Sequence, residues 1–87
     1  DLVFEPGRAM VGNSGILVAS VVYVKEGADR PIIVLDAAMN DLIRPALYEA
    51  YHPIVPLKEP RAGEIMIADV VGPICETGDT LATDRAL

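Results

Sequence analysis

The stretch ILVASVVYVKEGADRPIIVLDA, residues 16–37, decides the fold class of this chain. Its two apolar runs are rich in valine, isoleucine and tyrosine, which favour strands over helices. The GADRP segment between them carries the glycine and proline that are typical of turns. We therefore predict a long strand from Ile16, a turn, and a second strand that pairs with the first as an antiparallel hairpin.

The segments before the hairpin are shorter. Residues 1–7, DLVFEPG, place an apolar run before a proline-glycine pair, which predicts a short and fully buried strand. Residues 8–15, RAMVGNSG, are rich in small and flexible residues after Val11, and predict a loop or one helical turn.

The segments after the hairpin are more varied. In MNDLIRPALYEAYHP, residues 39–53, Pro45 disfavours helical backbone at the residue before it, so we expect short helical turns and not a long helix. Later prolines confine IVPLKEPRAG, residues 54–63, to loop or edge strand. The apolar alternation of EIMIADVVG, residues 64–72, predicts a third strand, followed by a polar tail to Leu87.

These segments together predict a mainly β fold. Strands joined as hairpins, with only short helical turns between them, are typical of half of a sandwich or an open barrel. The 87 residues make one domain at most, and a chain of this length buries only about 60 to 65% of its unfolded surface. Because 52% of the residues are hydrophobic and the mean hydropathy is +0.36, we expect part of the apolar surface to lie in an interface.

Composition also excludes several classes of partner. Thirteen acidic residues against seven basic ones give a net charge of −6, which repels a nucleic-acid backbone. No apolar run reaches the roughly 18 to 20 residues of a membrane span, and no signal-peptide pattern is present, so we expect a soluble, cytoplasmic protein without a membrane partner. One cysteine and one histidine cannot supply the usual structural zinc set, and we predict no metal.

Four polar groups stand at the ends of apolar segments: Glu5 with Arg8, Asn40-Asp41 with Arg44, Tyr48, and Cys75-Glu76 with Asp79. A rigid scaffold can present charges at such positions to a ligand. The same residues could instead only cap turns and form surface ion pairs, and composition alone favours that second interpretation. His52 precedes a proline in a predicted loop, where we expect it to be exposed to solvent.

Three strings that occur in this order indicate a more specific relationship than composition does: EPGR at residues 5–8, DAAMNDLIRPALY at 36–48 and VVGPICETGD at 70–79. Together they make the chain resemble the C-terminal part of the bacterial diaminopimelate decarboxylases, which use pyridoxal 5'-phosphate (PLP). The first string alone is shared among PLP decarboxylases of the alanine-racemase type, including those for ornithine and arginine, so it indicates the superfamily and not the substrate.

The resemblance implies an architecture. Residues 1–8 would be the last strand of a (β/α)8 barrel and the crossover from it, and residues 9–87 would be part of a C-terminal β domain of the sandwich or Greek-key type. It also implies a homodimer whose active sites are built from both subunits. The lysine that binds PLP and the glycine-rich phosphate loop would lie outside this chain, so we expect residues 1–87 alone to be inactive.

The resemblance further implies an activity, namely the lyase reaction that converts meso-2,6-diaminopimelate to L-lysine in the last step of lysine biosynthesis. Glu5 would pair with the pyridine nitrogen of PLP, since a carboxylate there keeps that nitrogen protonated. Gly7 would bring backbone close to the phosphate, and Arg8 would face the phosphate or a substrate carboxylate. Arg44 and Tyr48 would bind substrate, because a guanidinium group matches a carboxylate and a phenol adds a hydroxyl.

The lone thiol would act in the partner subunit's site. By resemblance, Cys75 would be a catalytic residue near the carbon that is protonated after decarboxylation, and a thiol of pKa about 8.5 can supply a proton at neutral pH. Glu76 would bind the distal ammonium of the substrate. Thr77 stands where the family often has serine, and the hydroxyl is kept.

Two alternatives stay open. A decarboxylase for ornithine, arginine or another basic amino acid on the same fold would share the EPGR string. A standalone β interaction module would share the strings by chance, and it predicts a cooperatively folding domain with an exposed peptide groove.

Overall fold

In the part of the chain that the computed structural model describes, residues 1–58, 63, 65–74 and 78–87, each short helix is followed by two strands. The helices have five residues each, and none of the described helices is long and apolar enough to cross a membrane. The elements in chain order are α1 (Gly7–Val11), β1 (Val21–Lys25), β2 (Ile32–Leu35), α2 (Arg44–Tyr48), β3 (Ile67–Val71) and β4 (Thr80–Ala86).

The first two strands form the predicted antiparallel hairpin. Lys25 pairs with Ile32 and Val21 with Leu35, with a register shift between them. The first strand is shorter than predicted, because residues 16–20 form no strand. Pairing extends by one residue only, where the Ser20 N–H donates to the Asp36 carboxylate at 2.7 Å and the Asp36 N–H donates to the Ser20 carbonyl at 3.0 Å.

The sheet order is β1-β2-β3-β4, and its centre is not a hairpin. β2 and β3 run parallel, with Ile32 opposite Asp69 and Val34 opposite Val71. The prediction that the fold consists of hairpins is therefore wrong at this junction. Two adjacent parallel strands need a long crossover connection. The segment between β2 and β3, which includes α2, forms this connection and returns the chain to the end of the sheet at which β2 begins.

The predicted polar tail is in fact a strand. β4 pairs antiparallel with β3 and reaches Ala86, which lies opposite Ile67. The register shifts between Ala68 and Val70, and Asp84 has a φ of 53° in the corresponding part of β4, which indicates a bulge. The Asp69 carboxylate accepts the Asp84 N–H at 3.0 Å, so a side chain replaces the ladder bond that the bulge removes.

A small core lies on one face of the sheet. Its buried members are Ile33, Ala68, Val70, Leu81 and Ala82, and Leu35, Leu42, Ile54 and Leu87 pack against them. Val70 is only 1% exposed. Because two of these residues, Leu42 and Ile54, come from the crossover, the core attaches the segment around α2 to the sheet.

The N-terminal segment differs from its prediction. Residues 1–6 form no strand, and Leu2 is 86% exposed. A strand is stabilised by hydrogen bonds and side-chain contacts from a neighbouring strand, and none of the described residues supplies them here. The division of the chain into a barrel strand at residues 1–8 and a β domain at residues 9–87 stays a prediction.

The chain is extended for its length. Its radius of gyration is 15.3 Å, against about 12 Å for a compact domain of the same size. All five residues of β1 are exposed, as are most large apolar residues before it. The location of part of this exposed apolar surface in an interface stays a prediction.

Candidate functional site

The first candidate group lies around α1. Glu5 precedes the helix, Gly7 begins it, and Arg8 lies in its first turn. Glu5 and Arg8 line one cleft of about 570 Å³, which Tyr51 and His52 line as well. The structure therefore brings together the carboxylate and the guanidinium group that the EPGR string predicts, in an open position that a ligand can reach.

Gly7 is open on the side where a side chain would stand. A Cβ built at this position meets no atom within 4 Å, so the surrounding chain leaves room for a group that approaches the backbone. Glu5, Gly7 and Arg8 thus offer a carboxylate, an unobstructed backbone and a cation within four residues. In chemical type, a carboxylate suits the ring nitrogen of PLP and a cation suits its phosphate, and the cleft is lined by Glu5 and Arg8 but not by Gly7.

The second candidate group lies on α2. Arg44 begins the helix and Tyr48 ends it, and the guanidinium carbon of Arg44 lies 5.4 Å from the centre of the Tyr48 ring. A cation over an aromatic face is attracted to it, so the ring orients the guanidinium group. Glu49 follows in the left-handed conformation, with φ of 54°, and ends the helix after one turn and a half.

Arg44 does not pair with Asp41, which was the alternative for this residue. The Asp41 carboxylate instead accepts the Ala38 N–H at 2.9 Å, and the Leu42 N–H donates to the Ala38 carbonyl at 3.1 Å. Asp41 therefore closes the turn before α2, as the cap interpretation predicts. The Arg44 head group stays exposed and available to an anionic ligand.

Arg85 is a residue that sequence reasoning missed. Its guanidinium Nη1 donates to the His52 carbonyl at 2.8 Å, and its guanidinium carbon lies 3.7 Å from the centre of the Tyr51 ring. It holds the Tyr51–His52 segment, which lines the same cleft as Glu5 and Arg8. His52 is half-buried and not fully exposed as predicted. Arg85 lies on β4, a strand that the sequence analysis did not predict. Its contacts with Tyr51 and His52 therefore could not be predicted from its position in the sequence.

Asp79 ends the CETGD string, and the sequence analysis predicted no role for it beyond membership of the polar group that it forms with Cys75 and Glu76. It is 2% exposed, and its two carboxylate oxygens accept the Met39 N–H and the Ile74 N–H, each at 2.8 Å. The predicted catalytic Cys75 and the predicted substrate ligand Glu76 lie outside the described residues, so their roles stay predictions. Within the described ranges, no group of three His, Cys, Asp or Glu side chains could hold a metal ion.

The chain is similar to known proteins over nearly its whole length. A family model described as "Pyridoxal-dependent decarboxylase, C-terminal sheet domain" matches residues 9–87. The chain is 53% identical over 87 residues to diaminopimelate decarboxylase from Vibrio cholerae, and 50% identical over 86 residues to diaminopimelate decarboxylase from Aquifex aeolicus. It covers 21% and 20% of these two relatives, so it spans about a fifth of their length.

The fold has solved counterparts as well. The crystal structure of diaminopimelate decarboxylase from Helicobacter pylori, complexed with L-lysine, superposes with a TM-score of 0.68 at 40% identity. The match covers 79% of this chain and 16% of that one. Since the family model spans residues 9–87, the chain belongs to the pyridoxal-dependent decarboxylase family and matches its C-terminal sheet domain.

Proposed function

We propose that this chain is the C-terminal part of a diaminopimelate decarboxylase, a PLP enzyme that removes CO2 from meso-2,6-diaminopimelate to give L-lysine. The observation that carries the proposal is the cleft that Glu5 and Arg8 line together. Identity of about 50% to relatives named for this activity supports the choice of substrate. L-lysine, the product of the proposed reaction, is bound in the Helicobacter pylori relative.

In the proposed enzyme, three residues of this chain hold the cofactor. The Glu5 carboxylate would hold a proton at the pyridine nitrogen, the backbone at Gly7 would face the phosphate, and Arg8 would neutralise the phosphate or a substrate carboxylate. PLP supplies an electron sink for the pair of electrons that is left when CO2 departs. The lysine that binds PLP belongs to the part of the enzyme that precedes this chain.

The substrate carries two carboxylates and two ammonium groups, and α2 supplies a matching cation. Arg44 binds a carboxylate through its planar fork, and the Tyr48 ring beneath it limits the directions in which that fork can point. The Tyr48 hydroxyl adds a hydrogen bond. Binding energy from such groups far from the reacting carbon positions the carboxylate that is to be lost.

The proposed enzyme is a cytoplasmic homodimer with shared sites. Cys75 donates a proton to the α-carbon after CO2 has left, and Glu76 binds the distal ammonium group, both in the partner subunit's site. Support for these two roles comes from the resemblance of the CETGD string alone.

The test is a decarboxylation assay of the complete enzyme loaded with PLP. CO2 release is measured from meso-diaminopimelate, L-ornithine and L-arginine under the same conditions. We expect kcat/KM for meso-diaminopimelate to exceed the other two by about 100-fold or more, since polar groups of a site stay unpaired with a substrate that lacks their partners. A preference for ornithine or arginine would instead favour the related decarboxylases.

Replacing Arg44 by lysine is expected to raise KM for meso-diaminopimelate about tenfold and to change kcat less. Lysine keeps the positive charge but loses the planar fork and the stacking on Tyr48. The matched control is Arg30→Lys in the turn before β2, which should leave KM unchanged. Equal KM values for the Arg44→Lys and unsubstituted enzymes would contradict the role of Arg44 in substrate binding.

A further inference from the structure

Asp79 is the one charged side chain that is buried among the residues that the structure describes, at 2% exposed. Burial of a carboxylate is unfavourable unless its oxygens accept hydrogen bonds. Here each oxygen accepts one: Oδ1 from the Met39 N–H and Oδ2 from the Ile74 N–H, both at 2.8 Å. One rigid carboxylate therefore holds two backbone segments that are 35 residues apart in the chain (74 − 39).

The first of these segments leads to the substrate residues on α2. Met39 lies inside the turn that the Asp41 and Leu42 N–H groups close on the Ala38 carbonyl, at 2.9 and 3.1 Å. The Asp41 carboxylate accepts the Ala38 N–H and closes the same turn from its other side. α2 begins two residues after Leu42. A shift of Met39 would therefore move the start of this helix.

The second segment follows β3, which ends at Val71. Ile74 lies three residues after the end of that strand, and the Gly72 N–H donates to the Asp79 carbonyl at 3.0 Å, so Asp79 contacts this segment through its backbone as well as through its side chain. Gly72 lies against the carboxylate: a Cβ there would stand 2.6 Å from Asp79 Oδ1. Only a residue without a Cβ can lie this close to the carboxylate while both of its hydrogen bonds are kept.

We propose that Asp79 is a positioning residue for substrate binding. Its carboxylate sets the position of the segment that leads to α2, and with it Arg44 and Tyr48, relative to the end of β3. The inference rests on the proposed function, because Arg44 and Tyr48 are substrate ligands only in that reaction. Asp79 itself touches neither substrate nor cofactor, and acts through the backbone of Met39 and Ile74.

The test compares Asp79→Asn with the unsubstituted complete enzyme. Asparagine has the same shape, but its NH2 group faces one of the two N–H donors, so one segment is released. We expect KM for meso-diaminopimelate to rise about tenfold, kcat to fall less, and the absorbance titration of bound PLP to stay unchanged. Hydrogen exchange of residues 38–48 should accelerate about tenfold, while that of β1 should not.

Val70→Ala is the control for a merely structural effect. It destabilises the sheet from the core, so it should lower the folded fraction and apparent kcat without raising KM. Equal KM values, or unchanged exchange of residues 38–48, in Asp79→Asn would overturn the proposal. If the unsubstituted enzyme does not decarboxylate meso-diaminopimelate, the proposed function fails, and hydrogen exchange alone still decides whether Asp79 holds the α2 segment.

A second pair of variants decides the matter if Asp79→Asn does not fold. Asp41→Ala breaks the next hydrogen bond along the same path to α2, and Asp36→Ala removes an equally exposed carboxylate that accepts one backbone N–H, from Ser20 at 2.7 Å. We expect KM to rise about threefold in the first and not in the second. Equal KM values in the two variants would overturn the proposed link between the turn at Ala38 and substrate binding by α2.

Discussion

Replacing Glu5 by glutamine in the complete enzyme is expected to lower kcat by about 100- to 1000-fold, with little change in KM for meso-diaminopimelate. The Glu5 carboxylate lines the cleft with Arg8 and is exposed enough to meet a bound ring. Glutamine has the shape of glutamate but no negative charge, so it cannot stabilise the protonated form of the pyridine nitrogen. Loss of one preorganised electrostatic group in an active site has an effect of this size.

The measurement is steady-state decarboxylation, with the absorbance titration of PLP to separate cofactor loss from slower turnover. Glu26→Gln, which removes the same charge from an exposed position just after β1, is the matched control and should keep the kcat of the unsubstituted enzyme. A Glu5→Gln enzyme with full kcat and full cofactor content would contradict the role of this carboxylate.

Replacing Gly72 by alanine is expected to destabilise the sheet domain by about 3–5 kcal/mol. The new Cβ would stand 2.6 Å from Asp79 Oδ1 and 2.7 Å from the Ala38 Cα, and it would also meet Asp79 Oδ2. Backbone cannot move aside as a flexible side chain can, and the carboxylate can move only by giving up the N–H groups of Met39 and Ile74. Overpacking and a lost charged hydrogen bond each cost about 1–3 kcal/mol.

Thermal unfolding of the complete enzyme measures the loss, and hydrogen exchange of residues 67–74 assigns it to this domain. Gly15→Ala is the matched control, because a Cβ at Gly15 meets no atom within 4 Å. It should leave the melting temperature unchanged or slightly raised, since alanine restricts the unfolded chain. Equal melting temperatures in the two variants would show that the space around Gly72 is not tight.

Local patterns of the sequence predict a large part of the fold. The valine- and isoleucine-rich runs predict β1, β2 and β3, and the GADRP turn predicts the hairpin. Apart from the shorter β1, these predictions are confirmed because each depends on neighbouring residues: side-chain alternation and turn chemistry act within a few positions. α2 is short as expected, but the expectation that Pro45 keeps Arg44 out of a helix is wrong: Arg44 begins α2, Pro45 stands in its first turn, where a proline is tolerated, and Glu49 ends it. The mainly β fold class follows from the strand predictions.

Predictions that need a distant partner were less successful. β4 looks polar in sequence because a bulge at Asp84 breaks its alternation, and it becomes a strand only because β3 offers it an edge. Residues 1–6 look like a buried strand, yet no described residue pairs with them. The parallel pairing of β2 with β3 depends on a crossover whose path the local pattern does not encode.

The candidate site divides in the same way. The motifs by themselves determined which residue types the candidate site contains, and through their resemblance they predict the roles that Glu5, Arg8 and Arg44 would have in the proposed enzyme. Only the tertiary structure decided that Glu5 and Arg8 share a cleft whose wall is held by Arg85, and that Asp79 joins two segments 35 residues apart. The physical reason is that a motif records covalent neighbours, whereas hydrogen bonds and burial depend on which distant segments the folded backbone brings together.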